Sequence, residues 1–264
     1  MASLTRRQRA RLSRGAQYVL FLAALVALAA LADWSKLANQ FARTDVIVEM
    51  FPRLLTTALA NTVTYAVCAF AFGLLLGLVI ALMRLSSVGP YRWFATVYVE
   101  LFRGVPALLV LIFVGVGVPM AFEAQLPGGL LGKVTIALGL VASAYMAETI
   151  RAGIQAVPKG QLEAARSLGM SHGWAMVSIV IPQAFRIIIP PMTNEMVLLL
   201  KDTSLVMFLG VLLTERELTK FGRDLAGTEA NNTPIVVAGL SYLVLTIPLG
   251  YLVRRLEARN AKAR

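Results

Sequence analysis

The chain has 264 residues, 58% of them hydrophobic and 15% charged, with a mean hydropathy of +0.73. Soluble domains carry roughly 45–50% apolar and about 25% charged residues, so the chain reads as an integral membrane protein. The net charge of +11 is no nucleic-acid footprint, because the basic residues punctuate apolar runs, and the single Cys68 and single His172 exclude a disulfide framework and a His-rich metal site.

A bilayer core about 30 Å thick needs about 20 apolar residues of helix at ~1.5 Å per residue. The first candidate is Gly15–Ala32, preceded by Arg6, Arg7, Arg9, Arg11 and Arg14. A basic start before an apolar run also describes a signal peptide. More membrane-type sequence follows it rather than a cleavage site and a soluble domain, so it reads as an uncleaved first span. Leu54–Met83, Gly104–Phe122, Val134–Ala147, Ile187–Leu200 and Ala230–Val253 supply five more. The fold class is therefore all-α with six spans, helices being the open-chain structure that satisfies backbone polar groups in lipid. Lys and Arg concentrate in 1–15, 84–103, 151–186 and 254–264, which places those segments and both termini in the cytoplasm.

In chain order, Gly73 and Gly77 form a G-x-x-x-G pattern suited to close helix packing, although glycine is common in spans. Arg103 and Pro106 mark the start of the third span, as a basic anchor and a helix-start proline. Glu148 and Arg151 form an i,i+3 pair at the end of the fourth.

Residues 163–182, EAARSLGMSHGWAMVSIVIP, are too polar at their start to span and too patterned for a slack loop. Pro158 suits a helix start. Good helix formers run to Leu168, with Glu163 and Arg166 placed for a weak ion pair. Gly169 is a left-handed stop, Ser171 caps a second short helix, and Pro182 ends it. Ala164 and Ala165 leave a low-relief surface. The pattern predicts a two-helix elbow: an interfacial hairpin, or a docking surface for another protein.

Ionisable groups in or near a span default to a functional hypothesis. Glu195, Lys201 and Asp202, with Asn194, Thr203 and Ser204, lie in or at the outer end of the fifth span. They either line a pathway or pair with neighbouring spans and fix the packing. The polar segment 214–232 reads as an outer loop, either plainly solvated or facing a partner.

The elbow resembles the cytoplasmic motif of the membrane subunits of ATP-binding-cassette (ABC) importers. Glu163, Ala164, Ala165, Gly169, Ile179, Ile181 and Pro182 fall at its spacing, with Ile181 in place of a leucine. RGVP (103–106), AYMAETIRAGIQAVPKGQLEAARSLGM (144–170), PQAFRIIIPP (182–191) and LKDTSL (200–205) narrow the resemblance to permeases of the polar amino-acid group, which serves histidine, glutamine, glutamate, arginine, cystine or opines. Val105 and Val110 depart from the group's usual Thr and Gln and make that stretch more apolar. The resemblance covers roughly residues 52–255. It implies a core of five helices there, an accessory first helix and external linker in 1–51, and a basic tail in 256–264.

The resemblance further implies that the elbow is a coupling helix, formed by Glu163, Ala164, Ala165 and Gly169 with Lys159 and His172 beside them, and that Glu148 and Arg151 brace it. Arg103, Asn194, Glu195, Lys201, Asp202, Thr203 and Ser204 become candidate substrate-pathway residues. The implied partners are two ATPase subunits that hold ATP and Mg, an extracytoplasmic amino-acid-binding protein, and a second permease subunit. The implied setting is a bacterial inner membrane. The chain lacks a G-x-x-x-x-G-K-[ST] phosphate loop, a catalytic triad and a metal cluster, so it reads as no enzyme and as binding no cofactor itself. A secondary transporter driven by an ion gradient is the alternative. It favours paired repeats with broken midplane helices, and no internal symmetry is evident.

Overall fold

The computed structural model describes the backbone of residues 6–123 and 125–262, and the side chains of 12–123 and 125–258. The helices are α1 (Arg6–Leu31), α2 (Trp34–Phe41), α3 (Thr44–Arg53), α4 (Ala60–Leu85), α5 (Gly89–Gly104), α6 (Ala107–Ile112), α7 (Val118–Phe122), α8 (Gly129–Gln155), α9 (Lys159–Ser167), α10 (His172–Ala175), α11 (Ile181–Asp202), α12 (Leu218–Glu229) and α13 (Thr233–Lys262). The basic residues Arg6, Arg7, Arg9 and Arg11 lie outside the described side chains.

Five helical stretches are long and apolar enough to cross a membrane: Leu12–Leu31, Trp34–Leu85, Gly129–Gln155, His172–Leu209 and Thr233–Ala258. The pair Gly89–Gly104 and Ala107–Phe122, bent by 104°, brings the number among the described residues to six when it is taken as one broken span. On that count the six expected spans are present, but the third is not one straight helix. Pro106 lacks the N–H that would continue α5, and Val105, forced out of the helical region by the following proline, is extended at φ −94°, ψ 134°. The preceding stretch, expected only as part of the basic segment 84–103, is the helix α5.

Three π-helical turns, Leu54–Leu59, Phe113–Gly117 and Met176–Val180, each lie two residues from a proline: Pro52, Pro119 and Pro182. A proline removes one i→i−4 bond, and a widened turn shifts the ladder around the gap. This corrects the expectation that Pro182 ends a helix. The helix runs through it into α11.

The centre is the pair α4–α8. Both glycines of the G-x-x-x-G motif are buried there. A Cβ on Gly73 would stand 3.2 Å from the Gly139 carbonyl, and one on Gly77 would stand 2.9 Å from the Ser143 carbonyl and 3.0 Å from Met146 Cβ. The approach at Gly77 is one that only glycine allows, and the one at Gly73 leaves a side chain little room. The Ser143 hydroxyl meets Tyr98 of α5 at 2.7 Å. Around the pair, Leu111, Val134, Leu138, Met146 and Leu200 form one buried cluster.

A second cluster joins Val46 and Met50 of α3 to Leu54, Ala58, Leu218, Phe221 and Ala238, so α3 packs as part of the body rather than as a linker. The accessory segment is tied in as well: Arg43 N–H donates to Thr233 Oγ1 at 3.0 Å and Asn231 Nδ2 to the Asn39 carbonyl at 2.6 Å. The segment expected as an outer loop contains α12. The outward faces of α1 and α13 are apolar, with Leu20 and Val244 74% and 69% exposed. Such surface is stable against lipid, not water.

Candidate functional site

The elbow is built by its own backbone. Pro158 sits just before α9, one position earlier than expected, with Lys159 opening the helix. At the other end Gly169 adopts φ +85°. Its N–H donates to the Arg166 carbonyl at 3.0 Å and Met170 N–H to the Ala165 carbonyl at 3.2 Å, the paired bonds of a glycine-terminated helix. Arg166 donates to the Met170 carbonyl at 3.1 Å and so reinforces this stop, instead of pairing with Glu163 as expected. Ser171 Oγ accepts from Trp174 N–H at 3.3 Å and starts α10.

Behind the elbow lies a small cluster of Val157, Val180 and Ala184, packed on by Leu162 and Met176. Glu148 at the end of α8 accepts from Arg151 Nε at 3.1 Å and from Arg84 of α4, fastening the two central helices where the elbow begins.

Lys159, Glu163, Ala164, Gly169 and His172 are all exposed on the elbow. Ala165 is not: at 5% exposure it faces inward, because it stands one residue on from Ala164 around a helix whose inner face meets the body. Two residues that sequence reasoning did not single out stand out instead. Leu168 and Trp174 are 85% and 63% exposed and flank the Gly169 turn. Their signal was available in the pattern, since apolar residues bracket a glycine stop in an otherwise polar stretch.

Between the middle of α8 and the later half of α11, a cavity of about 380 Å³ is lined by Arg103, Pro106, Tyr145, Glu195 and Asp202, among others. Glu195 and Asp202 are seven residues apart, two helical turns, and so share one face of α11. The Arg103 guanidinium lies 5.4 Å from the centre of the Tyr145 ring, within cation–π range. The structure thus gathers three of the seven expected pathway residues around one space and adds Tyr145. Asn194 and Lys201 are exposed and do not line it, and Ser204 is half-buried. Thr203 is fully buried, its hydroxyl donating to the Leu200 carbonyl at 2.7 Å, so it is held in the packing rather than offered to the cavity.

A sequence profile of the family described as "binding-protein-dependent transport system inner membrane component" matches residues 73–262. The chain is 40% identical over 211 residues to the probable glutamine ABC transporter permease protein GlnM of Bacillus subtilis (strain 168), covering 77% of this chain and 91% of that protein. It is 38% identical over 237 residues to the glutamate/aspartate import permease protein GltK of Escherichia coli O157:H7, covering 87% and 98%. Among solved structures, one described as an amino acid ABC transporter with histidines superposes with a TM-score of 0.73 at 36% identity, over 81% of this chain and 96% of that chain. A bacterial alginate ABC transporter matches at a TM-score of 0.63 and 14% identity, a likeness of fold alone.

Proposed function

The chain belongs to the family of binding-protein-dependent transport system inner membrane components, and on that footing we propose that it is the permease of an ABC importer for a polar amino acid. Its similarity to permeases named for glutamine and for glutamate/aspartate supports the cargo class. The ion-gradient alternative has no support, because the relatives are ABC permeases. In this reading ATP is hydrolysed on two separate ATPase subunits, a binding protein delivers the cargo from outside, and a second permease subunit completes the pathway. Both termini and the elbow face the cytoplasm.

The observation that carries the reading is the elbow itself: a turn fixed by its own backbone, fastened through Glu148 to the central helices and presenting exposed Glu163, Ala164, Leu168 and Trp174. Closure of the ATPase dimer moves the two elbows, and α8 and α11, which the elbow joins, carry that motion to the cavity. Arg103, Glu195 and Asp202 there offer one guanidinium and two carboxyl groups to an amino acid's charged ends. Tyr145 holds the guanidinium in place. No bond is made or broken in the cargo, so the chain needs no catalytic group.

The test is to replace Glu163 by Arg, or Gly169 by Pro, in the reconstituted transporter. Uptake is expected to fall while the permease remains in the membrane and the ATPase subunits still hydrolyse ATP. Uptake at the unaltered rate in both variants contradicts the coupling role.

A further inference from the structure

At the end of the molecule far from the elbow, the segment between α11 and α13 is stitched to the body by side chains. Asn61 Nδ2 donates to the Thr214 carbonyl at 2.8 Å, and Tyr65 Oη donates to the Glu215 carbonyl at 2.8 Å. Leu218 N–H donates to Thr62 Oγ1 at 3.1 Å. These bonds anchor residues 214–218 to α4.

The stretch beside the cavity is of another kind. Directly after Asp202, Thr203–Leu209 form a 3-10 helix that ends at Gly210 with φ +72°. Runs of that helix beyond three or four residues are uncommon, and within a longer helix they often mark a hinge. Seven residues hold the shape here through their neighbours. Leu209 closes over Gly115, where an added Cβ would come within 2.7 Å of its Cδ2.

One side chain touches both regions. The Tyr242 hydroxyl of α13 donates to Glu217 Oε2 at 2.9 Å, lies 3.1 Å from Thr219 Oγ1, and packs 3.5 Å from Thr203 Oγ1, whose own proton goes to the Leu200 carbonyl, so its hold on Thr203 is one of packing. Glu217 is fully buried and also accepts from the N–H groups of Thr219 and Lys220, both at 2.6 Å, so it caps α12. Burial pushes its carboxyl above the ordinary range, while those two N–H donors pull the other way. Helix caps are ordinarily Ser, Thr, Asn or Asp. Glutamate reaches further, and here the extra reach spans to Tyr242. Breaking that contact leaves a buried carboxylate short of a partner, which is costly enough to favour two discrete arrangements over a gradual one.

We propose that Tyr242 and Glu217 form a latch that holds the Thr203–Leu209 stretch beside the cavity and makes it answer to movements of α12. Both are positioning residues: neither lines the cavity. The latch rests on the importer reading, in which α12 lies on the face that meets the binding protein. Docking shifts α12, Glu217 leaves Tyr242, and Thr203–Leu209 is free to re-pack and open the cavity outward.

The test uses the full transporter in proteoliposomes with its ATPase subunits and binding protein. Tyr242→Phe removes one oxygen and keeps the ring. ATP hydrolysis without binding protein is expected to rise about tenfold, the scale of one hydrogen bond to a charged group, and the stimulation by binding protein to shrink to match. Glu217→Gln, which keeps an oxygen to cap α12, is expected to act in the same direction, and the double variant to go no further than the stronger single one. A role in folding alone lowers the melting temperature and leaves the stimulation ratio unchanged; that result in Tyr242→Phe overturns the latch. Should Tyr242→Phe not assemble, an unchanged ratio in Glu217→Gln overturns it equally. A wild-type complex that ignores its binding protein overturns the importer reading and the latch with it, whereas a responsive wild type with unchanged variants overturns the latch alone.

Discussion

The elbow is held chiefly by bonds between near neighbours in the sequence, and the far end by bonds between distant helices. At the far end Asn61, Thr62, Tyr65, Glu217 and Tyr242 all bond to partners within the chain, and Glu217 is fully buried. At the elbow the backbone bonds around Gly169 and the Ser171 hydroxyl make the stop and the cap, while Leu168 and Trp174 stand out at 85% and 63% exposure. The far end ties its polar side chains to distant helices, although Leu212 and Leu213 there are 67% and 70% exposed. The elbow keeps a fixed shape and leaves its apolar groups uncovered, the condition expected of a surface that another protein covers. In energetic terms, burying such side chains against a partner yields about 25 cal/mol per Å² of apolar area, and that gain is still available at the elbow.

The contrast is open to attack, beginning with the frame both regions share. Gly77→Val drives a side chain into the Ser143 carbonyl and Met146. With backbone unable to yield, we expect a loss of about 3 kcal/mol, read as a collapse in the yield of extractable protein and in melting temperature. Both ends then fail together.

Attacks on one region alone separate them. Leu168→Asp with Trp174→Ala removes the exposed apolar pair without touching the core. Anchors of this kind contribute about 2 kcal/mol or more to an interface, so co-purification with the ATPase subunits should fall at least tenfold while melting temperature is unchanged. Thr62→Val does the reverse. It strips the Leu218 N–H of its buried acceptor, at about 1–3 kcal/mol, so melting temperature falls while ATPase binding is kept. The smallest effect belongs to Gly169→Ala. At φ +85° an added Cβ meets no neighbour within 4 Å, leaving only the left-handed strain, about 1 kcal/mol. That is measurable as faster proteolysis at the elbow with little change in global stability.

The elbow was readable because helix stops and caps are local codes. Gly169 and Ser171 specify their conformations from their own chemistry, and the Glu148–Arg151 pair needs only helical spacing. Charge-free runs likewise marked the spans, since the bilayer sets their length. What failed depended on neighbours. Pro182 reads as a stop until a π turn absorbs it. Residues 84–103 read only as a basic segment, whereas most of them form α5, which ends at a 104° bend. Ala165 and Ala164 are equivalent in sequence, and only the packed body decides which one faces it. Tyr145, Glu217 and Tyr242 carry no sequence signal of their own. Their roles arise where α8, α12 and α13 come together with α11. Of the expected pathway residues, Arg103, Glu195 and Asp202 converge on the cavity, while Asn194, Lys201 and Thr203 do not, because neighbours on a helix point in different directions.

We propose that this chain carries a polar amino acid inward under power supplied by ATPase subunits seated on the elbow. The most direct measurement is uptake into proteoliposomes holding the permease, its ATPase subunits and its binding protein. Radiolabelled basic, acidic and amide amino acids are offered outside, with and without ATP on the elbow side. Uptake of one of these classes that requires ATP and is lost with Glu163→Arg is expected. Uptake that proceeds without ATP and follows an ion gradient contradicts the proposal.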